Sequence, residues 1–243
     1  MSQTPIPDPT DAAIVPPPIA NKLLAALPHT EYARLRENLE PVTLTFGEIL
    51  YEPGDPIRQI YFPDDSLVSL LILVDRHLAL EVGLVGYEGM VGVAYALGVG
   101  VSQVQALVQG GGTALRMPAA PFRRTLRRCP ALQRGIQRYT HDLMAQIAQT
   151  AACNRFHVVE ARLARWLLMT RDRVGSDRFH LTHEFLSHML GVRREGVTQA
   201  AQALKQRRLI DYSRGNIEIV DGDGLEAASC SCYERVRETP PAP

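Results

Sequence analysis

Four polar residues at the start of one predicted helix have side chains that form directional hydrogen bonds: Arg193, Arg194, Glu195 and Gln199. Arg194 can donate two bonds to guanine, Glu195 can accept one from cytosine, and Gln199, one turn farther on, can reach adenine or a phosphate. Arg193 occupies the N-cap position, where a cation beside the positive end of the helix dipole is unfavourable. A phosphate bound there would reverse that sign, so the pattern points to a nucleic-acid ligand.

The surrounding residues predict the elements that hold this helix. Thr182 can cap a first helix through its hydroxyl, and Gly191 ends that helix. The apolar positions of the first helix are Phe185, Leu186, Met189 and Leu190, and those of the second are Val197, Ala200, Ala201, Leu204 and the trailing Leu209. A two-stranded hairpin with its turn at Ser213-Arg214-Gly215-Asn216 follows. These elements together predict a winged helix-turn-helix.

We expect two kinds of DNA contact from this unit. Base reading is assigned to Arg194, Glu195 and Gln199, and backbone contact to Thr182, His183, Arg193, Thr198 and Arg214. Gly196 has no side chain, which lets the helix backbone approach a groove closely. Between residues 193 and 214, six Lys or Arg residues stand against two acidic residues, so positive charge is concentrated where a duplex would lie. A purely structural helix pair is the alternative.

The run from Gly191 to Val197 resembles the Gly-x-Ser-Arg-Glu-x-Val signature of the Crp/Fnr family of transcription regulators, and the resemblance extends over roughly residues 21–233. It implies that Arg194 and Glu195 enter the major groove and that two recognition helices read an inverted repeat. This chain departs from the pattern in two places. Arg193 replaces the family's Ser, and Gln199 replaces a frequent base-contacting Arg, so its half-site preference is expected to differ.

Composition independently bounds the rest of the chain. The 243 residues can bury two domain cores, and 26 basic residues balance 26 acidic ones, which argues against a protein that coats nucleic acid without specificity. The expected fold class is α+β. The predicted divisions are a disordered Pro-rich tail at 1–18 without a secretory-signal pattern, a domain at 19–128 that the Crp/Fnr resemblance makes a β-roll effector domain, a long dimerisation helix at 129–172 and the winged helix-turn-helix at 173–243.

Strand patterns occupy the predicted domain at residues 19–128. Residues 42–46, 60–62, 67–74 and 79–84 favour strands separated by Pro-, Gly- and Asp-rich turns, as in a sandwich or barrel. The apolar stretch 82–101 is long enough for a membrane span, but it contains Glu88 and six Gly, so turns and short strands explain it better.

The Crp/Fnr resemblance implies that this domain is a β-roll that binds an effector. Where the effector is a cyclic nucleotide, a Phe-Gly-Glu loop holds it and a nearby Arg neutralises its phosphate. Neither feature is recognisable here, and burying a phosphate without a cation is costly, so we expect no cyclic AMP and assign no cofactor. The positions of the loop and of the Arg define a possible effector pocket: Glu88, Gly89, Met90, Gly92, Ser102 and Gln105. A β-roll kept for scaffolding and dimer geometry is the alternative.

One helical pattern runs from about Cys129 or Pro130 to Asp172. Apolar residues recur at alternating steps of four and three, which is typical of a coiled-coil seam. The predicted dimer interface is Leu132, Ile136, Tyr139, Leu143, Ile147, Thr150 and Asn154. The alternative is an amphipathic helix that lies on its own β-roll. A hinge to the DNA-binding domain is expected at residues 172–177.

The remaining chemistry-bearing residues predict little. Cys129, Cys153, Cys230 and Cys232 form no Cys-x-x-Cys pair, and neither they nor His77 show metal-ligand spacing, so no metal site is assigned. No cysteine precedes Cys129, which argues against the N-terminal iron–sulfur cluster of some Fnr-type members. Redox sensing by Cys230 and Cys232 stays open. No Gly-rich phosphate loop or nucleophile motif appears, so an enzyme is not expected.

The sequence therefore predicts a homodimeric, sequence-specific DNA-binding transcription regulator. Its expected partners are double-stranded DNA, a second copy of the chain and RNA polymerase, with no membrane, and its expected location is the cytoplasm. The alternative is a ligand-binding or protein-interaction module whose winged helix does not contact DNA.

Overall fold

The structure is a computed structural model that describes residues 19–75 and 78–237. The predicted tail at 1–18 and His77 lie outside the described residues. The described part combines helices with antiparallel strands, as the α+β prediction required.

The helices are α1 Lys22–Ala25, α2 His29–Arg36, α3 Val93–Ala96, α4 Ala119–Leu126, α5 Pro130–Phe156, α6 Val159–Val174, α7 His183–Leu190, α8 Arg194–Gln206, α9 Gly222–Ala228 and α10 Cys232–Arg237. The strands are β1 Glu40–Leu44, β2 Ile49–Tyr51, β3 Gln59–Pro63, β4 Leu67–Asp75, β5 Leu78–Val85, β6 Gln105–Gly110, β7 Gly112–Pro118, β8 Arg178–His180, β9 Ile210–Ser213 and β10 Asn216–Ile219.

The N-terminal strands form two antiparallel sheets, one in the order β1-β7-β3 and the other in the order β2-β6-β4-β5. The four strand patterns read from the sequence correspond to β1, β3, β4 and β5. Phe62, Val85 and Met117 lie in the shared core and are almost completely buried. The apolar stretch 82–101 becomes the end of β5, a turn, α3 and a connecting loop. Within the described ranges, no helix is both long and apolar enough to cross a membrane.

Helix α5 lies on the β-roll of its own chain. Its N-terminal amides at Ala131 and Leu132 donate to the buried carboxylate of Glu31 on α2, at 3.1 to 3.2 Å. Farther along, Tyr139 donates to the carbonyl oxygen of Met90 at 3.2 Å. The Gln146 amide bonds both backbone groups of Leu84 and so pairs with an edge strand of the larger sheet.

The predicted dimer seam is therefore wrong for the first part of α5. The side chains of Leu132, Ile136, Tyr139 and Leu143 are between 0 and 6% exposed in a single chain, packed against that chain's own β-roll. Ile147 packs against the same core, and Thr150 accepts a bond from Arg165. The heptad-like pattern arose because a helix lying on a sheet needs the same apolar stripe as a helix in a coiled coil.

The single helix predicted to reach Asp172 is also wrong, because the chain breaks it at His157 and Val158. Both residues have extended backbone angles, with ψ of 146° and 154°. Helix α6 then continues to Val174 and ends at Gly175, whose φ is +66°. Neither Gly nor Pro stands at the break. Helix α6 changes direction there because its apolar face packs with the C-terminal helices rather than with the β-roll core that holds α5.

The C-terminal core joins α6 to the predicted helix pair and hairpin. Leu167, Leu186, Val197 and Ile217 are buried together, one from each of four elements. A third strand, β8, was not predicted, and it pairs with β10 to complete a sheet of order β8-β10-β9. The sequence placed a domain boundary at residue 173, whereas α6 shares its core with the helix-turn-helix.

Candidate nucleic-acid interface

The first helix of the predicted helix-turn-helix begins and ends, and the second begins, where the sequence indicated. Thr182 accepts a hydrogen bond from the Phe185 amide at 3.1 Å and caps α7. Gly191 ends α7 with φ of +59°, which glycine adopts without strain. Arg193 stands at the N-cap of α8, and its side chain forms no capping bond. The first turn of α8 therefore has backbone amides that its N-cap side chain does not satisfy.

The side chains at this helix end are exposed. Arg193, Arg194, Glu195 and Gln199 all lie at the surface, whereas Val197 on the opposite face is fully buried. Within the part of the chain that the structure describes, neither Arg193 nor Arg194 has a carboxylate within ion-pairing distance. By contrast, Lys205 pairs with Asp211 and Arg207 pairs with Glu160. The two arginines at the start of α8 thus carry charge that no carboxylate of the described residues neutralises.

The wing brings one more cation beside this helix end. Strands β9 and β10 are joined by Arg214 and Gly215, both in the left-handed region with φ of +49° and +84°. Two such residues form the tight hairpin turn that Asn-Gly usually makes. Arg214 carries the conformational cost of a β-carbon in this region, of roughly 1 kcal/mol.

A groove of about 350 Å³ separates the wing from the helix pair. It is lined by Thr182, His183, Arg194 and Arg214 among the predicted residues, together with His180, Tyr212 and Asn216, which the sequence did not single out. Asn216 bonds His180 at 3.0 Å across the β8–β10 pair. The alternation of side chains along the predicted hairpin could have indicated Tyr212 and Asn216. His180 could not be found in this way, because its strand β8 was not predicted.

Two predicted phosphate-contacting residues, His183 and Thr198, lie in contact with each other. The Nδ1 atom of His183 lies 3.1 Å from Oγ1 of Thr198, and its ring packs on Tyr212 with centroids 4.9 Å apart. Burial, and secondarily the Arg194 cation, lower the pKa of His183 below its usual value of 6.5. His183 is therefore neutral near pH 7, and this pair holds α7 against α8 and the wing.

The β-roll positions the helix pair from behind. The ring of Phe46 packs on that of Phe185, with centroids 5.4 Å apart, and a β-carbon at Gly191 would lie 2.6 Å from Leu80. Arg162 on α6 donates to the carbonyl oxygen of Leu190 at the end of α7. Helix α7 is thus fixed between the β-roll and α8, and the exposed start of α8 is left free of these contacts.

The candidate effector residues contact two different parts of the chain. Glu88 forms an ion pair with Arg173 at 2.8 Å, and Gly89 packs directly on Tyr139. Ser102 bonds the backbone of Val104, and Gln105 donates to Glu52 at 2.9 Å.

The other two candidates are apolar or lack a side chain. Met90 is buried, and Gly92 packs against Tyr51 and Ile60. The polar groups of the candidate pocket are thus engaged within the chain rather than directed at one common ligand.

Four residues that the sequence left without a metal assignment meet at the C-terminal end of α5. The ligand atoms of Cys153, His157, Cys230 and Cys232 all lie within 4.8 Å of one another. A hydrogen bond with Cys230, and secondarily the Arg165 cation, lower the pKa of the Cys153 thiol. Cys153 and His157 are four residues apart, and this spacing of one helical turn was the sequence signal available for them.

Comparison with known proteins agrees with the helix-turn-helix geometry described above. A family model described as the Crp-like helix-turn-helix domain matches residues 161–228. No curated protein matches the chain.

Solved structures match over most of the chain. FixK2 from Bradyrhizobium japonicum is 12% identical with a TM-score of 0.67, covering 79% of this chain and 98% of its own. CLP from Xanthomonas campestris, described as a c-di-GMP responsive global regulator, is 14% identical with a TM-score of 0.65, covering 78% and 98%. A CRP-family transcriptional regulator from Thermus thermophilus is 19% identical with a TM-score of 0.63, covering 77% and 96%. The resemblance is confirmed in the fold: the chain has the fold of the Crp/Fnr transcription regulators, and residues 161–228 match the Crp-like helix-turn-helix domain.

Proposed function

We propose that this protein is a sequence-specific DNA-binding transcription regulator that reads an inverted repeat as a homodimer. The observation that carries the proposal is the start of α8, where Arg193 and Arg194 are exposed, unpaired within the described residues and adjacent to helix amides that no N-cap side chain bonds. A phosphate at this point neutralises the arginines and satisfies the amides together.

The other proposed DNA contacts fall into two groups, those to base edges and those to the sugar–phosphate backbone. Arg194, Glu195 and Gln199 lie on the first turns of α8 and read base edges, while Arg193, Arg214 and the Thr182 hydroxyl contact the backbone. His183 and Thr198 contribute indirectly, because their hydrogen bond fixes the angle between α7 and α8. Arg214 supports this role, since a strained turn keeps a cation where Asn would fit with less strain.

The homodimer uses a different face of α5 from the one that the sequence indicated. Opposite the buried stripe, the C-terminal half of α5 exposes small and flexible apolar side chains: Met144, Ala145, Ala148, Ala151 and Ala152. Met144 is 65% exposed in the single chain. Ala145, Ala148 and Ala152 repeat the three–four spacing of a helix seam, and alanines let two helix backbones approach closely. Two recognition helices about 34 Å apart would then read half-sites one helical turn apart.

The test is selection from a random duplex library by the purified chain without added ligand, followed by a salt titration on the selected sequence. We expect an inverted repeat with half-sites about 10 base pairs apart and a steep decrease of affinity with salt. Arg194→Ala should cost about 1–3 kcal/mol and relax the preference at one base position. Arg36→Ala removes an exposed arginine of α2 and serves as the matched control, with no change in the selected sequence.

Two results would contradict the proposal. If no sequence is enriched either alone or with a small-molecule extract, the winged helix serves another purpose, such as protein docking. If Arg194→Ala and Arg36→Ala give the same selected repeat and the same affinity, α8 does not read the bases.

A further inference from the structure

We propose that Cys153, His157, Cys230 and Cys232 bind a single zinc-type divalent cation in a closed structural site. The site joins the end of α5 to the segment between α9 and α10. It is independent of the DNA interface and of the proposed dimer face.

The ligand geometry fits a mononuclear site. Zinc binds thiolates at about 2.3 Å in a tetrahedron, which places neighbouring ligand sulfurs about 3.8 Å apart. The Sγ atoms of Cys153 and Cys230 are 3.5 Å apart, and Sγ of Cys232 is 3.4 Å from Nδ1 of His157. Three thiolates and one imidazole form a common structural zinc set.

Other ligands fit this geometry less well. An iron–sulfur cluster would hold its protein ligands farther apart, because irons and sulfides lie between them, whereas these four atoms all lie within 4.8 Å. A disulfide between Cys153 and Cys230 would need the sulfurs at about 2.05 Å and would leave Cys232 and His157 without a role. All three cysteines of the cluster are free thiols in the structure.

Charge provides an independent argument. Arg162 and Arg165 on α6 are only 7% and 6% exposed, and within the described residues neither forms an ion pair. The Nε atom of each has no hydrogen-bond partner there. A divalent cation with three thiolates carries one net negative charge, which would place an anionic group beside two buried guanidinium groups that form no ion pair.

The surrounding contacts resemble a second layer of ligand support. Gln149 donates from Nε2 to Sγ of Cys232 at 2.9 Å, and such bonds orient thiolate ligands and tune metal affinity. Gln149 and Cys153 lie in the last two turns of α5, and His157 is the residue that directly follows this helix. The site therefore holds the C-terminal helix α10 against the point where α5 gives way to the DNA-binding domain.

The experiment measures metal content and spectroscopy of the full reduced chain, purified without added metal and then reconstituted with Co²⁺. We expect one zinc per chain as isolated, and on Co²⁺ substitution the intense visible bands of tetrahedral cobalt with thiolate-to-metal charge transfer. Cys230→Ser and Cys232→Ser should abolish both signals. Cys129→Ser, which removes a buried cysteine outside the cluster, should retain both.

A second variant keeps the test valid if ligand substitutions impair folding. Gln149→Ala leaves all four ligands in place and should weaken metal affinity by about 10–100-fold, measured by competition with a chelator. The proposal is overturned if the reduced wild-type chain gives no cobalt spectrum, if Cys129→Ser loses metal as the ligand variants do, or if metal content is the same in all variants. A reduced chain that binds no metal but forms a Cys153–Cys230 disulfide on oxidation would also overturn the proposal and would assign a redox pair instead.

Discussion

The indole Nε1 of Trp166 donates a hydrogen bond to Oε1 of Glu81 at 2.9 Å and so links α6 to strand β5 of the β-roll. Ser69 lies 2.7 Å from the other carboxylate oxygen. Nearby, Gln109 donates to Thr170 of α6 at 3.1 Å, so a buried polar network joins the β-roll to the helix-turn-helix domain. Burial raises the pKa of Glu81 to about 7, against the bonds from Ser69 and Trp166 and the charges of Arg165 and Arg173.

This carboxyl predicts a pH-dependent stability. A pKa raised on folding means that the folded state holds the proton more tightly than the unfolded state. The contribution is fully present below the unfolded value of 4.5 and is lost as the pH rises through about 7. It amounts to roughly 3 kcal/mol at most. Glu81→Gln should remove this dependence, whereas Glu37→Gln on the surface should keep it, as urea unfolding at pH 5 and pH 8 will show.

Trp166 provides a direct probe of the same group, because it is the sole tryptophan of the sequence. Its fluorescence should titrate with a midpoint near pH 7 in the wild type and lose that transition in Glu81→Gln. A transition unchanged by the substitution would show that another group controls it.

Gly89 should tolerate no side chain. A β-carbon there would lie 2.0 Å from Cε2 of Tyr139, and that ring is fixed in the α5 contact with the β-roll. Gly89→Ala should lower the free energy of unfolding by about 1–3 kcal/mol. Gly100→Ala is the matched control, because nothing lies within 4 Å of its β-carbon. Equal stabilities of the two variants in urea titrations would refute the packing argument.

A substitution at Arg214 in the wing should change stability and DNA affinity in opposite directions. Arg214→Asn replaces a residue at φ of +49° by one that adopts this region more readily, so the free energy of unfolding should rise by about 1 kcal/mol. The same change removes a cation, so DNA affinity should fall and the salt slope should decrease by about 1. Anisotropy titrations at several salt concentrations measure the second effect, and an unchanged slope would exclude a phosphate contact.

The dimer face predicts a monomeric variant. Ala148→Glu places like charges opposite each other across the two-fold axis, which should weaken self-association at least tenfold. Ala33→Glu makes the same change on exposed α2 and should sediment as the wild type does. If Ala148→Glu also sediments unchanged, the second copy binds elsewhere.

Cyclic AMP should change neither the melting temperature nor DNA binding. The Glu88 carboxylate is paired with Arg173, and Ser102 and Gln105 bond to their own chain, so no cation is offered to a phosphate at the candidate pocket. A bound ligand at 100 times its Kd would stabilise the fold by about 2.7 kcal/mol. A thermal shift of that size would overturn this prediction.

Local sequence signals determined most of the winged helix-turn-helix. Thr182 as a cap, Gly191 as a helix end, the stripe from Val197 to Leu204 and the turn at Arg214-Gly215 each act through neighbours within a few residues, so their roles can be read in order along the chain. The Crp/Fnr signature lies within the same stretch.

Tertiary structure decided the partner of each apolar stripe and the meeting of distant polar groups. Leu132 and Tyr139 have a periodicity that suits a second helix or a sheet equally well, and only the position of the β-roll selects the sheet. The break at His157 has no local breaker, because packing of α6 on another core imposes it. Cys153 and Cys230 are 77 residues apart along the chain yet within 3.5 Å in space, since contacts between elements bring them together and no sequence spacing records that distance.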